Sequence, residues 1–227
     1  MTGATRVTDM DQSDRVCRYW EADECEGTVH CPPRCPRFVD REGTPWVIHP
    51  ATDEDREALV AMYDDFAPDQ AAQGLPPRRR SRITGWLDDV LAAGCNFVVS
   101  GEAGIVGHAL YTPTDDEVPE FAVFVHQDYQ GRGIGTEVSK HVVATAAVAD
   151  REALTLIVDP DNRTARHLYE KLGFEIVEQV SFEQRGRRTE TLRLRRPLDE
   201  RDLIDFQHLP IVGTERRDEP SPADRAD

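Results

Sequence analysis

The sequence predicts an α/β domain built around a mixed β-sheet, and three observations lead to this class. Apolar, strand-like runs alternate along the middle of the chain with segments whose apolar residues recur at helical spacing. From residue 46 onwards the predicted order is β-α-α-β-β-β-α-β-α-β-β, which is typical of a sheet covered by helices. The chain has 227 residues, of which 39% are hydrophobic, so it is long enough to bury the core of such a domain.

Local signals predict the individual elements in order. The first helix follows Thr52, which can cap it, and begins with acidic residues that suit a helix N-terminus. The fourth helix ends at Gly173, a residue typical of a helix C-terminus. The last two strands flank a Gln-Arg-Gly-Arg turn. The predicted strands are 46–49, 96–100, 104–111, 121–126, 153–158, 174–184 and 187–195, and the predicted helices are 53–66, 81–93, 133–149 and 162–172.

The chain divides into three predicted regions. Residues 1–40 form a cysteine-rich N-terminal module, and residues 40–45 link it to the α/β domain at 45–198. Residues 199–227 form a C-terminal extension, which we expect to be disordered from about 214 because it is charged and lacks hydrophobic periodicity.

The charge balance excludes several functions. The chain has 43 acidic and 27 basic residues and a formal charge of −16. Only Lys140 and Lys171 are lysines. Such a surface argues against nucleic-acid binding, and it favours a salt-rich cytosol, hence a halophilic source. We expect no membrane segment, since no apolar run is long enough, and a cytoplasmic location, since the N-terminus lacks a signal pattern.

The most informative stretch is a glycine-rich turn between a predicted strand and a predicted helix. It carries the pattern Gln-x-x-Gly-x-Gly at Gln130, Gly133 and Gly135. Unpaired amides at a helix N-terminus bind phosphate, and glycines let a ligand approach the backbone closely. A dinucleotide fingerprint fails because Thr136 stands where glycine is needed, and the chain has no Gly-Lys-Ser/Thr triplet of a P-loop.

Residues 46–196 resemble the GNAT superfamily of acetyl-CoA-dependent N-acetyltransferases. The first signature is the glycine turn, and the second is Asn162-x-x-Ala-x-x-Leu-Tyr169-x-x-x-Gly173-Phe174 on the following helix. The resemblance implies a mostly antiparallel central sheet flanked by helices. It also implies that acetyl-CoA is the cosubstrate and that the acetyl group moves to an amine by direct attack in a ternary complex.

The resemblance further assigns coenzyme-binding residues. The strand backbone at Val123, Phe124 and Val125 would pair with the pantetheine arm. Asn162 would hydrogen-bond the pantetheine or polarise the end of the fifth predicted strand, 153–158. Arg132 and Arg166 would add positive charge, although a solvated helix face explains Arg166 equally well. The phosphate-binding turn would comprise Gln130, Gly131, Arg132, Gly133, Ile134, Gly135 and Thr136.

Acetyl transfer needs an acid for the leaving thiolate and a base for the attacking amine. The resemblance places Tyr169 at the general-acid position. Glu120 is our candidate base, with Asp159, His108 and His126 as alternatives. Because strand faces alternate, an offset of one residue would turn Glu120 away from the site unless a bulge intervenes. We interpret Cys95, at the start of an apolar strand, as an inert buried thiol.

The N-terminal module carries four closely spaced cysteines, Cys17, Cys25, Cys31 and Cys35. In a cytosolic protein such a cluster favours structural zinc over disulfides, although the spacing departs from CxxC knuckles. Reduced, unligated thiols are the alternative.

For the acceptor we predict only an amine, carried by a small molecule, a protein N-terminus or a lysine. Two other functions stay open: a non-catalytic acyl-CoA-binding sensor, and a zinc-dependent interaction protein on the same scaffold. The oligomeric state is not evident from the sequence.

Overall fold

The computed structural model describes residues 33–67, 76–77, 79–184, 187–199, 202 and 206. Within these residues eight strands form one sheet in the order β1-β2-β3-β4-β5-β6-β8-β7. All neighbours are antiparallel except β5 and β6, which are parallel. This confirms the predicted mixed, mostly antiparallel sheet. The strands are β1 (Arg37–Val39), β2 (Pro45–Pro50), β3 (Cys95–Gly101), β4 (Gly104–Thr112), β5 (Glu120–Val125), β6 (Ala153–Val158), β7 (Glu175–Gln184) and β8 (Arg187–Pro197).

Four α-helices cover the sheet within the described residues: α1 (Arg56–Asp64), α2 (Arg80–Ala93), α3 (Ile134–Val148) and α4 (Arg163–Lys171). The first predicted helix divides, because a 3-10 turn at Asp53–Asp55 precedes α1. Thr52 and Asp55 form a capping box at that turn. None of the helices in the described part of the chain has the length and apolar composition needed to span a lipid bilayer.

Two apolar clusters hold the layers together, one on each face of the sheet. The larger cluster lies beneath α3 and α4 and contains Val138, Val142, Leu154 and Phe174. The smaller cluster lies beneath α1 and α2 and contains Leu59, Ile83 and Leu87. The sheet is thus buried on both faces, which accounts for the nearly continuous apolar sequences of its central strands.

The sheet begins earlier than the sequence predicts. Strand β1 at Arg37–Val39 pairs with β2, although the sequence places these residues in the cysteine-rich module. Phe38 is 3% exposed and belongs to the larger core cluster. A three-residue strand crowded by prolines leaves no period-2 pattern, so only its pairing with β2 reveals it.

The termini of the domain also meet on α3. Arg34, which is 2% exposed, donates from Nε to Glu137 Oε1 at 2.5 Å and from Nη1 to the carbonyl of Phe206 at 2.9 Å. Arg196 of β8 is buried beside Asp202 and forms a two-point ion pair with it. Residues on both sides of the predicted 45–198 domain therefore pack onto it.

Candidate functional site

A gap opens in the sheet between β5 and β6. The two strands pair at one position, Glu120 opposite Thr155, where the Thr155 amide donates to the Pro119 carbonyl at 3.1 Å. Beyond this point the strands separate. Because backbone groups alternate in direction along a strand, the peptide groups of Val123 and Val125 point towards the gap, while Ala122 and Phe124 pair with β4.

The glycine-rich turn lies at the open end of this gap. Gly131 and Gly133 have φ of +75° and +96°, a backbone conformation that favours glycine, so the sequence pattern has a direct conformational cause. The Gln130 side chain donates from Nε2 to the Val125 carbonyl at 3.0 Å and ties the turn to the end of β5. The turn therefore places the start of α3 at the open end of the gap.

The first turn of α3 supplies free donors. Gly133 is the N-cap and brings no side-chain acceptor. Among the described residues, no acceptor bonds the amides of Gly131 to Thr136. These amides carry the partial positive charge of a 15-residue helix, so the turn is built to bind an anion.

Gly135 faces the gap. A Cβ atom at this position would lie 3.4 Å from Val125 Cγ2 and 3.7 Å from Leu168 Cδ2, which places Gly135 between β5 and α4. Any larger side chain would narrow the space in front of the free amides. The glycine is therefore needed for access, while Gly131 and Gly133 are needed for the turn.

Tyr169 packs from α4 onto β5, beside the closed end of the gap. Its side chain is 8% exposed and packs edge-on against Phe121 of β5, with ring centroids 6.1 Å apart. No hydrogen-bond partner of its hydroxyl occurs among the described residues. Burial raises the pKa of Tyr169 to about 12, so the phenol is protonated at neutral pH and can donate a proton.

Asn162 caps α4, with Oδ1 accepting from the Ala165 amide at 3.0 Å. Arg166 donates to the Pro160 carbonyl at 2.9 Å and so braces the turn before α4. The structure thus shows helix-capping and turn-bracing contacts for two residues that the sequence predicts to bind coenzyme.

The structure places the Arg132 side chain away from the gap. Its Nε donates to Asp40 Oδ2 at 2.7 Å, its Nη2 donates to Thr44 Oγ1 at 2.7 Å, and the guanidinium lies 5.3 Å from the ring centre of Tyr129. The side chain that the sequence predicts to add positive charge near the coenzyme thus forms an ion pair with Asp40, between β1 and β2. The sequence could not show this, because Asp40 lies 92 positions away and within the predicted module.

The candidate bases Glu120 and His126 lie at opposite ends of β5. Glu120 is exposed and lies at the closed end of the gap, on the strand face shared with Phe124. That face packs towards α1 and α2, because Phe124 contacts Tyr63 and Trp86 there. His126 follows β5 and lies 3.1 Å from the exposed carboxylate of Asp65.

His108 is a buried structural residue. Asn96 Nδ2 donates to two carbonyls, so its Oδ1 accepts from His108 Nε2 at 3.0 Å. The other ring nitrogen, Nδ1, then accepts from the Tyr63 hydroxyl at 2.7 Å. Burial lowers the pKa of His108 to about 3, so the ring stays neutral. Likewise burial raises the pKa of Cys95 to about 11, which keeps that thiol protonated.

Of the four predicted metal ligands, the structure describes Cys35. Cys17, Cys25 and Cys31 lie outside the described residues, and Cys35 lies just before β1. The described part of the chain holds no group of three or more His, Cys, Asp or Glu side chains arranged to hold a metal. The Cys35 carbonyl does bond His141, whose Nε2 is buried without a partner among the described residues.

Comparison with known proteins decides the family. The model of the acetyltransferase (GNAT) family matches residues 56–174, which include the gap, the glycine turn and α4. The chain belongs to the GNAT acetyltransferase family. Over 101 residues it is 27% identical to the Escherichia coli L-amino acid N-acyltransferase MnaT, covering 42% of this chain and 59% of that protein. Over 65 residues it is 35% identical to E. coli spermidine N(1)-acetyltransferase, covering 28% of this chain and 35% of that enzyme.

Solved structures of this GNAT protein's neighbours show the same fold. An acetyltransferase of the GNAT family from Streptococcus pneumoniae superposes with a TM-score of 0.59 at 16% identity, over 68% of this chain and 99% of its own. A Salmonella typhimurium protein solved with acetyl-CoA superposes with a TM-score of 0.57 at 18% identity, over 68% and 95%. The predicted family and fold are therefore confirmed, while these two curated relatives are matched over about three fifths of their length or less.

Proposed function

We propose that this GNAT protein transfers the acetyl group of acetyl-CoA to an amine acceptor. The observation that carries the proposal is the gap between β5 and β6, which has free helix amides at its open end and a protonated phenol at its side. The amides of Gly131 to Thr136 would hold the pyrophosphate, and the backbone of Val123 to Val125 would pair with the pantetheine arm. The coenzyme supplies an activated thioester, so the protein needs no covalent intermediate of its own.

In the proposed mechanism each group at the gap has one task. The amine nitrogen attacks the thioester carbonyl while a peptide N–H of β5 that faces the gap stabilises the negative charge that develops on the oxygen. The carbon–sulfur bond then breaks, and the departing sulfur takes its proton from the Tyr169 hydroxyl. Glu120 accepts the proton of the ammonium through water, because it is exposed and lies at the closed end of the gap.

The acceptor would enter on the face of β5 that carries Glu120 and Phe124. Phe66, Trp86 and Phe124 are all partly exposed there, and they form one aromatic wall around the buried Tyr63. The named relatives act on an amino acid and on spermidine, and a yeast relative with 31% identity over 97 residues is an N-alpha-acetyltransferase. These names share an amine as the acetylated group, and we propose an amine acceptor for this chain.

The first test is calorimetric titration of acetyl-CoA into the wild type and the Gly135→Leu variant. We expect binding by the wild type and loss of at least about tenfold in affinity in the variant, since the new side chain would occupy the space before the free amides. Gly85→Leu is the control, because Gly85 is exposed in α2 with open space around it. Equal affinity in all three proteins would contradict the proposed binding site.

The second test measures thiol release with a panel of amino acids, spermidine and a peptide with a free N-terminus. Turnover with any amine supports the enzyme. Coenzyme binding without turnover for every acceptor would favour the acyl-CoA-binding sensor, and a folded protein that binds no coenzyme would favour the interaction protein.

We also propose that the N-terminal cysteine cluster binds one structural zinc ion. The support is the sequence pattern, four cysteines within 19 positions. Metal analysis of reduced protein is expected to find about one zinc per chain, which Cys35→Ser reduces and Cys95→Ser does not. Absence of metal in freshly purified wild type would reject this part of the proposal.

A further inference from the structure

An open pocket of about 110 Å³ lies beside the first two turns of α3, outside the gap between β5 and β6. Its walls are the end of β1 with the residues that follow it, the exposed side of α3, and the last residue of α4. Gly133 and Thr136 belong both to this pocket and to the anion-binding turn. The pocket therefore adjoins the site where the pyrophosphate would lie.

The pocket is positively charged in a strongly acidic protein. Its lining contains the cations Arg41, Arg132, Lys140 and Lys171 against two carboxylates, Asp40 and Glu137. Both lysines of the whole chain are among them, although the formal charge of the chain is −16. Such a local excess of positive charge attracts an anion that the surrounding surface would repel.

Both carboxylates already have strong partners. Asp40 is paired with Arg132 at 2.6 Å, and Glu137 accepts from the buried Arg34 at 2.5 Å. The Lys140 ammonium lies 3.6 Å from the second oxygen of Glu137, which keeps it near the pocket. Because Glu137 is shared with Arg34, it does not fully neutralise the charge of Lys140. The positive charge that remains available to a ligand comes from Lys140, Lys171 and Arg41.

Arg41 links the pocket to the turn. Its backbone amide donates to the Arg132 carbonyl at 3.0 Å, and its Nη1 donates to the Gly131 carbonyl at 3.2 Å. Arg41 Cγ and Nε also lie 3.9 Å from the place of a Cβ on Gly133. These contacts hold a guanidinium at the rim shared by the pocket and the phosphate-binding turn.

Coenzyme A carries a third phosphate, a monoester on the 3′-oxygen of its ribose, one sugar away from the pyrophosphate. We propose that this pocket binds the 3′-phosphate of the coenzyme through Lys140, Lys171 and Arg41. The inference rests on the proposed function, since it needs the pyrophosphate on the turn of residues 131–136. A dianionic phosphate suits such a site, because lysine and arginine provide several charge-assisted donors. The pocket thereby makes the protein selective for coenzyme A over its dephosphorylated form.

The test compares coenzyme A with 3′-dephospho-coenzyme A by calorimetry at one fixed salt concentration. We expect the wild type to bind coenzyme A about tenfold more tightly. Lys140→Gln, Lys171→Gln and Arg41→Gln should each lose about three- to tenfold for coenzyme A and little for the dephospho form. The Lys140→Gln/Lys171→Gln double variant should bind the two ligands nearly equally. Arg193→Gln is the control, since Arg193 is an exposed cation on β8 paired with Glu178.

Three outcomes would overturn the inference, and they are distinguishable from failure of the proposed function. Equal affinity of the wild type for both ligands rejects the 3′-phosphate site while leaving coenzyme binding intact. Equal weakening of both ligands in the lysine variants would show general attraction only. Lysine-dependent binding of inorganic phosphate, without discrimination between the two coenzymes, would identify a site for free phosphate. Absence of binding by either coenzyme in folded wild type would reject the proposed function together with this site.

Discussion

At the scale of single residues, burial decides which titratable groups can take part in chemistry. Tyr169 and His108 are both buried, yet their surroundings differ. His108 is bonded on both ring nitrogens and stays neutral, so it is part of the core. The Tyr169 hydroxyl has no partner among the described residues, and its raised pKa keeps the proton in place for transfer.

Replacing Tyr169 with Phe tests its role as an acid. The variant keeps the packing against Phe121 and Phe174 but removes the proton. We expect kcat to fall about 10²-fold while the affinity for acetyl-CoA changes little. Because the phenol has a pKa of about 12, it should cause no loss of activity between pH 7 and about pH 10 in the wild type. Unchanged kcat in steady-state assays would assign Tyr169 to packing alone.

Replacing Glu120 with Gln tests the base. Glu120 is exposed at the start of β5, so the change should leave the fold intact. We expect kcat/KM to fall about 10²-fold near neutral pH and to recover partly at high pH, where more of the amine is already neutral. A pH–rate profile identical to that of the wild type would exclude Glu120 and direct attention to His126 with Asp65.

At the scale of elements, residues between β1 and β2 fix the position of the glycine turn. Asp40 follows β1, is 5% exposed and accepts hydrogen bonds from Trp46 and Arg132. Burial raises the pKa of Asp40, but these hydrogen bonds and those from the Thr44 and Glu42 amides outweigh it, so the pKa lies below its usual 3.8. The ionised carboxylate therefore fastens the turn to the edge of the sheet.

The Asp40→Asn variant should unfold more easily at neutral pH, by about 2 kcal/mol, since the half-buried Arg132 loses its buried charged partner and keeps only the exposed Glu42. The native pKa of Asp40 is lowered, so this stabilisation is present above the unfolded value of 3.8 and disappears as the pH falls through the native value. Urea denaturation at about pH 7 and about pH 3.5 should show the difference shrinking in acid. A difference that does not depend on pH would contradict an electrostatic origin.

The exposed pair of Arg56 and Asp88 provides the control for that experiment. Both side chains are more than two fifths exposed although their atoms approach within 2.7 Å. Asp88→Asn is therefore expected to leave the stability almost unchanged.

At the scale of the whole molecule, the formal charge of −16 opposes both folding and the approach of an anionic coenzyme. The four cations of the pocket beside α3 lie where the coenzyme phosphates would approach, so charge is distributed unevenly over the surface. The halophilic interpretation of the composition stays a prediction.

Thermal unfolding in potassium chloride tests that prediction. Raising the salt from about 0.1 M to about 2 M should screen the repulsion between carboxylates and stabilise the fold by about 2 kcal/mol, or about 4–8 °C for a chain of this size. Differential scanning calorimetry measures the midpoint. A midpoint that is constant or falls with salt would show that charge repulsion does not limit stability.

The sequence by itself determined the family, the order of elements from β2 to β8, and the position of the glycine turn before α3. These features depend on local causes: hydrophobic periodicity, helix ends, and positive φ at Gly131 and Gly133. Tertiary structure alone decided where long-range partners lie. It placed Arg132 against Asp40, made β1 part of the sheet, and brought Lys140 and Lys171 together with Arg41 in one pocket. Such pairings join residues far apart in the chain, and no local pattern encodes a distance between them.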